Sequence, residues 1–136
     1  MAVPERSALI ELARQWISLW TAPLNRGLFE ALHAEDFADE SPAGRGANKA
    51  AFRRGIEDLF AAFPDLRAQA DDFVVDESAG RVAVRWSAKG TNRARFLGHG
   101  PTNKPIRMTG IEIIEFRGAE IIRRWGEWDI SEFLSS

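Results

Sequence analysis

At Pro64 the spacing of the apolar residues changes, and that change limits the folds open to this chain. Upstream, Leu9, Leu12, Ala13, Trp16, Leu19 and Trp20 recur at steps that place them on one side of a helix. Pro4 and Pro23 bracket this run, so the spacing predicts a helix from about Pro4 to Trp20. A shorter helical stretch from Asn25 to His33 gathers Leu28, Phe29 and Leu32. The Gly- and Pro-bearing segment from Glu40 to Gly46 reads as a loop. A third stripe, Phe52, Ile56, Leu59, Phe60 and Phe63, ends at Pro64, where the missing N–H and fixed φ stop a helix. Downstream the period falls from about 3.6 to about 2. Phe73-Val74-Val75 closes one strand, and Glu77-Ser78-Ala79-Gly80 turns it. Val82, Val84 and Trp86 then alternate with Ala83, Arg85 and Ser87, as in a half-buried strand. Thr91 to Phe96 reads as a third strand and Gly98 to Pro105 as a loop. Arg107 to Phe116 and Glu120 to Trp128 read as a hairpin. Helices followed by consecutive antiparallel strands define an α+β fold.

A length of 136 residues predicts a single domain over residues 1–136, and a 45% hydrophobic content is enough to fill its core. The net charge of −2 leaves no basic surplus to neutralise phosphates, which argues against a nucleic-acid partner. The absence of Cys excludes disulfides, a thiol nucleophile and Cys-ligated metal, and fits a reducing, cytoplasmic setting. The stretch from Met1 to Ser7 is polar, unlike a secretory leader, and no apolar run approaches the ~20 residues of a membrane span. The only histidines, His33 and His99, lack ligand spacing, so no metal is expected. His33 reads as a helix C-terminal residue favoured by the dipole, and His99 as a loop residue.

The hairpin carries the chemistry. With Gly118-Ala119 as its two turn residues, Arg117 faces Glu120, Glu112 faces Trp125, Gly110 faces Glu127 and Thr109 faces Trp128. Glu112, Trp125, Glu127 and Asp129 then share one surface, with room left opposite Gly110. If that surface is concave and covered by helices, a carboxyl among Trp rings loses solvation and its pKa rises. Such a group can take a proton from a weakly acidic carbon and return it elsewhere. The plainer reading makes Glu127 and Asp129 a solvated strand end, with Trp125 and Trp128 in the core. Arg85 and Trp86 point to opposite faces. Trp86 is read as the inward one, whereas an inward Arg85 would offer charge to an enolate oxygen or hold a water. Arg53-Arg54 and Arg123-Arg124 read as a solvated face or a salt-bridged edge. Phe52, Phe60 and Phe63 read as core, with one or two placed to roof a cavity.

Several segments together resemble the SnoaL-like polyketide cyclase family of the NTF2-like superfamily. They are Ala62-Phe63-Pro64-Asp65-Leu66, Arg81-Val82-Ala83-Val84-Arg85-Trp86, Gly90-Thr91, Phe96-Leu97-Gly98, Pro101-Thr102-Asn103-Lys104, Thr109-Gly110-Ile111-Glu112-Ile113, and Trp125 followed by Asp129. The resemblance runs from about Glu5 to Glu132. It implies a cone of three N-terminal helices packed on a curved, mostly antiparallel sheet around a pocket, and a homodimer through the sheet's outer face. It further implies a cofactor-independent aldol-type ring closure in which an acidic pocket residue acts as general acid–base. Asp129 best matches that residue; Glu127 is its rival, and Glu112 occupies the acidic position after Thr-Gly-Ile. Relatives often carry a His where this chain has Glu40. His99 replaces a usually apolar loop residue.

These considerations predict a pocket for a small apolar ligand, contacted by Trp86, Phe96, His99, Trp125, Trp128 and Phe63. Epoxide or ester hydrolysis by the same carboxylates is the second enzymatic reading. A ligand-binding or assembly module without catalysis is the third, because the fold alone does not settle function.

Overall fold

A computed structural model of the chain describes residues 4–41 and 46–136. Helix α1 spans Arg6–Ser18 and buries Leu9, Ala13 and Trp16 of the stripe read from the sequence, together with Ile17, while Leu12 is half-buried. Helix α2 spans Arg26–Leu32 and starts at Asn25, whose side chain accepts from the Leu28 N–H. Strand β1, His33–Asp39, follows without a break. Asn48 caps helix α3, Lys49–Ala62, in the same way as Asn25 caps α2. Strands β2 (Arg67–Asp76), β3 (Arg81–Thr91), β4 (Pro105–Arg117) and β5 (Glu120–Asp129) form a meander, and a short helix α4 (Ser131–Leu134) ends the chain. Among the described residues no helix is long and apolar enough to cross a membrane.

The five strands lie in the order β1-β5-β4-β3-β2, and only β1 runs parallel to its neighbour. The helices pack against one face of this open sheet, giving the NTF2-like cone; α1 lies along β2 and β3, and α3 lies against β1. Alternation along β4 decides which side chains enter: Ile106, Met108, Glu112 and Ile114 are buried, while Ile111 and Ile113 face out.

The structure corrects three sequence expectations. A strand precedes α3, so the elements are not helices first and strands after. β3 ends at Thr91, so Thr91 to Phe96 is not a strand. Instead the buried Asn92 ties the base of a loop, donating to the Ala94 carbonyl at 2.7 Å and accepting from the Thr102 N–H at 2.7 Å. The β4–β5 register also differs. Arg117 does face Glu120, but a bulge at Glu115/Phe116 puts Glu112 opposite Gly126, Gly110 opposite Trp128 and Thr109 opposite Asp129. One extra residue on β5 therefore exchanges the faces of everything beyond it. The loop read over Glu40 to Gly46 falls in part on residues 42–45, outside the described residues.

Candidate functional site

The concave sheet face, α1 and α3 enclose a cavity of about 610 Å³. That volume is typical of a small-molecule site. Trp16 of α1 and Trp20, in the turn that follows it, form one wall, their rings edge to face at 4.4 Å, and Phe52, Ile56 and Leu59 of α3 form another. Ala68, Ala88 and Met108 form the floor, and Phe96, Leu97 and Trp128 border the mouth.

A buried polar cluster lies at one end. Trp86 Nε1 donates to Glu112 Oε2 at 3.2 Å, and Arg124 Nε donates to Glu112 Oε1 at 2.8 Å. Arg124 Nη1 donates to Asp39 Oδ1 at 2.8 Å and to the Ser41 carbonyl at 3.2 Å. Asp39 Oδ1 also accepts from the Ser41 N–H at 3.1 Å. The Glu112 and Asp39 residues are 4% and 2% exposed, so these hydrogen bonds are what makes burying their charge tolerable. Burial pushes the Glu112 carboxyl above its usual range, against the opposing pull of Arg124 and of the bond from Trp86.

Two glycines make room for the cluster. A Cβ at Gly110 would lie 2.5 Å from the Trp86 ring, and one at Gly126 would collide with the Arg124 guanidinium and Glu112 Oε1. The space expected at Gly110 is present, but the inward Trp86 ring fills it.

Behind the Trp16 wall lies His33, which is 1% exposed. Trp16 Nε1 donates to His33 Nε2 at 3.0 Å, and His33 Nδ1 donates to the Phe29 carbonyl at 2.8 Å, the tautomer that satisfies both contacts. His33 does cap the last turn of α2. Burial lowers its pKa to about 4, so it caps as a neutral ring and not as the cation that a dipole argument favours.

The sequence candidates are distributed as follows. Glu112, Trp86, Phe96 and Trp128 line the cavity, and Glu127 and Glu40 border it as exposed residues. Asp129 is exposed and outside the lining; its carboxylate accepts from the Ser131 N–H at 2.8 Å, and its bonds to Ser131 hold its pKa below the usual value. Trp125 lies on the outer face beneath Arg81, whose guanidinium carbon is 5.0 Å from the ring centroid. Phe63 is fully buried between Phe96 and Phe133. His99 packs edge-on against Phe133 at 5.0 Å. Arg85 faces out towards Asp71, at 3.9 Å. Among the described residues no cluster of His, Asp and Glu is arranged to hold a metal ion.

Sequence reasoning missed Arg124, Asp39 and the role of Trp16 and Trp20 as cavity wall. Arg123-Arg124 on a strand carried the signal, because adjacent strand residues face opposite ways. Arg123 does lie at a salt-bridged surface, 3.3 Å from Glu115, while Arg124 turns inward.

The fold is an α+β cone with a buried carboxylate at one end of an aromatic-walled cavity. The profile of the SnoaL-like polyketide cyclases matches residues 10–135, and the chain belongs to that family. Solved structures agree in fold. AclR, a candidate hydroxylase from Streptomyces galilaeus, superposes with a TM-score of 0.84 at 20% identity, covering 96% of this chain and 85% of that one. IdmH, a candidate polyketide cyclase from Streptomyces antibioticus, gives 0.79 at 22% identity over 93% and 96% of the two chains. A SnoaL-like polyketide cyclase from Agrobacterium tumefaciens gives 0.73 at 20% identity over 93% and 95%. No curated protein matches the sequence.

Proposed function

We propose that this chain is a cyclase or isomerase that moves a proton on a small, largely apolar carbonyl compound without a cofactor, with Glu112 as the acid–base group. One observation carries the reading: a carboxylate only 4% exposed stands at the polar end of a cavity whose other walls are mostly apolar and aromatic. A carbonyl compound seated against Trp86, Phe96 and Trp128 would present an acidic C–H to Glu112. The neighbouring Arg124 guanidinium would stabilise the enolate oxygen that forms. Ring closure, by attack of that enolate on a second carbonyl of the same molecule, is the version the family membership favours. Glu127, at the cavity border, is a candidate proton relay. Asp129 keeps the position the resemblance assigns to the acid, but its exposure and its bonds to Ser131 favour a capping role.

The Glu112–Arg124 ion pair favours a second reading, a module that binds an apolar ligand without turnover. Carboxyl titration by NMR of 13C-Glu-labelled protein separates the two, with Glu112→Gln assigning the signal. Catalysis calls for Glu112 to titrate above its usual 4.5. A midpoint below that value would mark a carboxylate held ionised by Arg124, and the acid–base role would be abandoned.

The outer face supports a homodimer. Val74, Ala83, Ile113 and Trp125 stand directly across from one another on four adjacent strands. Beside this apolar row runs another of alternating charge, Asp76, Arg81, Glu115 and Arg123. A two-fold axis through such a face would pair unlike charges and cover the apolar row. Sedimentation equilibrium should give twice the 15.2 kDa chain mass, falling to the monomer in Ile113→Glu. A monomeric wild type at tens of micromolar would refute it.

A further inference from the structure

The turn at the cavity mouth carries an expensive residue. The Phe96 and His99 backbones exchange hydrogen bonds at 2.9 and 3.0 Å, closing a two-residue turn whose central residues are Leu97 and Gly98. Both have positive φ, +52° and +74°. Gly, Asn and Asp suit such turns; Leu does not, because its Cβ crowds the backbone in the left-handed region. The Leu97 side chain also has no core to enter: the residue is 63% exposed, yet it lines the cavity beside Trp128, which is itself 39% exposed. The turn is firmly held. Phe96 packs edge to face on Phe63 and Trp128, and the Arg95 guanidinium donates to the Gly98 and Gly100 carbonyls. Neither local conformation nor core packing explains a leucine here.

We propose that Leu97 is a specificity-determining residue, an apolar lip that, with Trp128, covers the outer end of an uncharged apolar ligand held in the cavity. The inference rests on the small-ligand reading given above and adds to it the residue that selects an apolar over a polar outer end. A bound ligand would remove from water a side chain that the fold leaves exposed.

The test uses Leu97→Asn, because Asn is at home at positive φ and the fold gains from it, together with Leu97→Met as the conservative control. The probe is N-phenyl-1-naphthylamine, a neutral fluorophore, titrated at fixed pH. Wild type and Leu97→Met should bind it with similar Kd. Leu97→Asn should bind it about ten-fold more weakly while melting at the same temperature or higher. Affinity within two-fold of wild type in Leu97→Asn would overturn the inference and leave the small-ligand reading standing. Failure of the wild type to bind the probe would overturn both.

Discussion

Replacing Arg124 with leucine is expected to destabilise the fold by about 3–5 kcal/mol. The guanidinium bonds Glu112 on one side and Asp39 on the other, at 2.8 Å each. Without it, Glu112 keeps only the Trp86 N–H among its present donors, in a setting where an unscreened charge is costly. The loss should shrink as pH falls, because Glu112 is the carboxyl whose folded pKa is raised, and protonation removes the uncompensated charge. Glu112→Gln in the Arg124→Leu background should recover part of the stability, a coupling that a double-mutant cycle reads directly. Urea midpoints at constant m-value measure all three effects. A loss below about 1 kcal/mol in the single variant would mean that the cluster is solvated and that the cavity's polar end is not dry.

Acid should weaken the protein through His33 at higher pH than its carboxylates require. In the unfolded chain this ring takes up a proton near its usual 6.5, but in the fold only near about 4. Between those values the unfolded state binds more protons, so stability is fully present above about 6.5 and falls as pH falls towards 4. The interval is worth about 3 kcal/mol, and the loss ends once the folded ring is also protonated. Glu112 works in the opposite sense above its usual value, since its raised pKa makes the folded state the better proton binder there. Comparison with His33→Gln isolates the histidine, because Gln can offer a donor and an acceptor but cannot titrate in this range. The difference in unfolding free energy between the two proteins should change by about 3 kcal/mol from pH 7.5 to pH 4. Parallel curves would show that the His33 ring takes up its proton as readily in the fold as in the unfolded chain, contrary to its burial and its bond from Trp16.

Periodicity revealed most of the architecture, and its failures have physical causes. The stripes of α1 and α3 and the alternation of β3 were legible because each faces a core on one side only. Strand β1 was not: Ala34, Glu35, Asp36 and Ala38 have weak strand propensity, and its pairing partner is β5, far along the chain. The site was half legible. The sequence points to Glu112 and to the gap at Gly110, but the shared face with Trp125 and Glu127 fails at a bulge that no local pattern announces. Helical spacing places Trp16 on one side of α1, and nothing in that spacing distinguishes a side chain that meets other side chains from one that borders a cavity. Asp39 reaches Arg124 across 85 positions, a contact that only the finished sheet creates.

The open sheet described above ends at β2, whose far edge has no strand beside it among the described residues. Its first residues are tied to the turn after α1, where the Ala68 N–H donates to Thr21 Oγ1 at 3.2 Å, but an edge without a strand beside it can invite a second molecule to add its own and so seed aggregation. This one carries an irregularity between Ala70 and Asp72, with neighbouring carboxylates at Asp71 and Asp72. A kinked, negatively charged border is a poor template for a stranger's backbone, which lets the cone stay open at that side without becoming sticky.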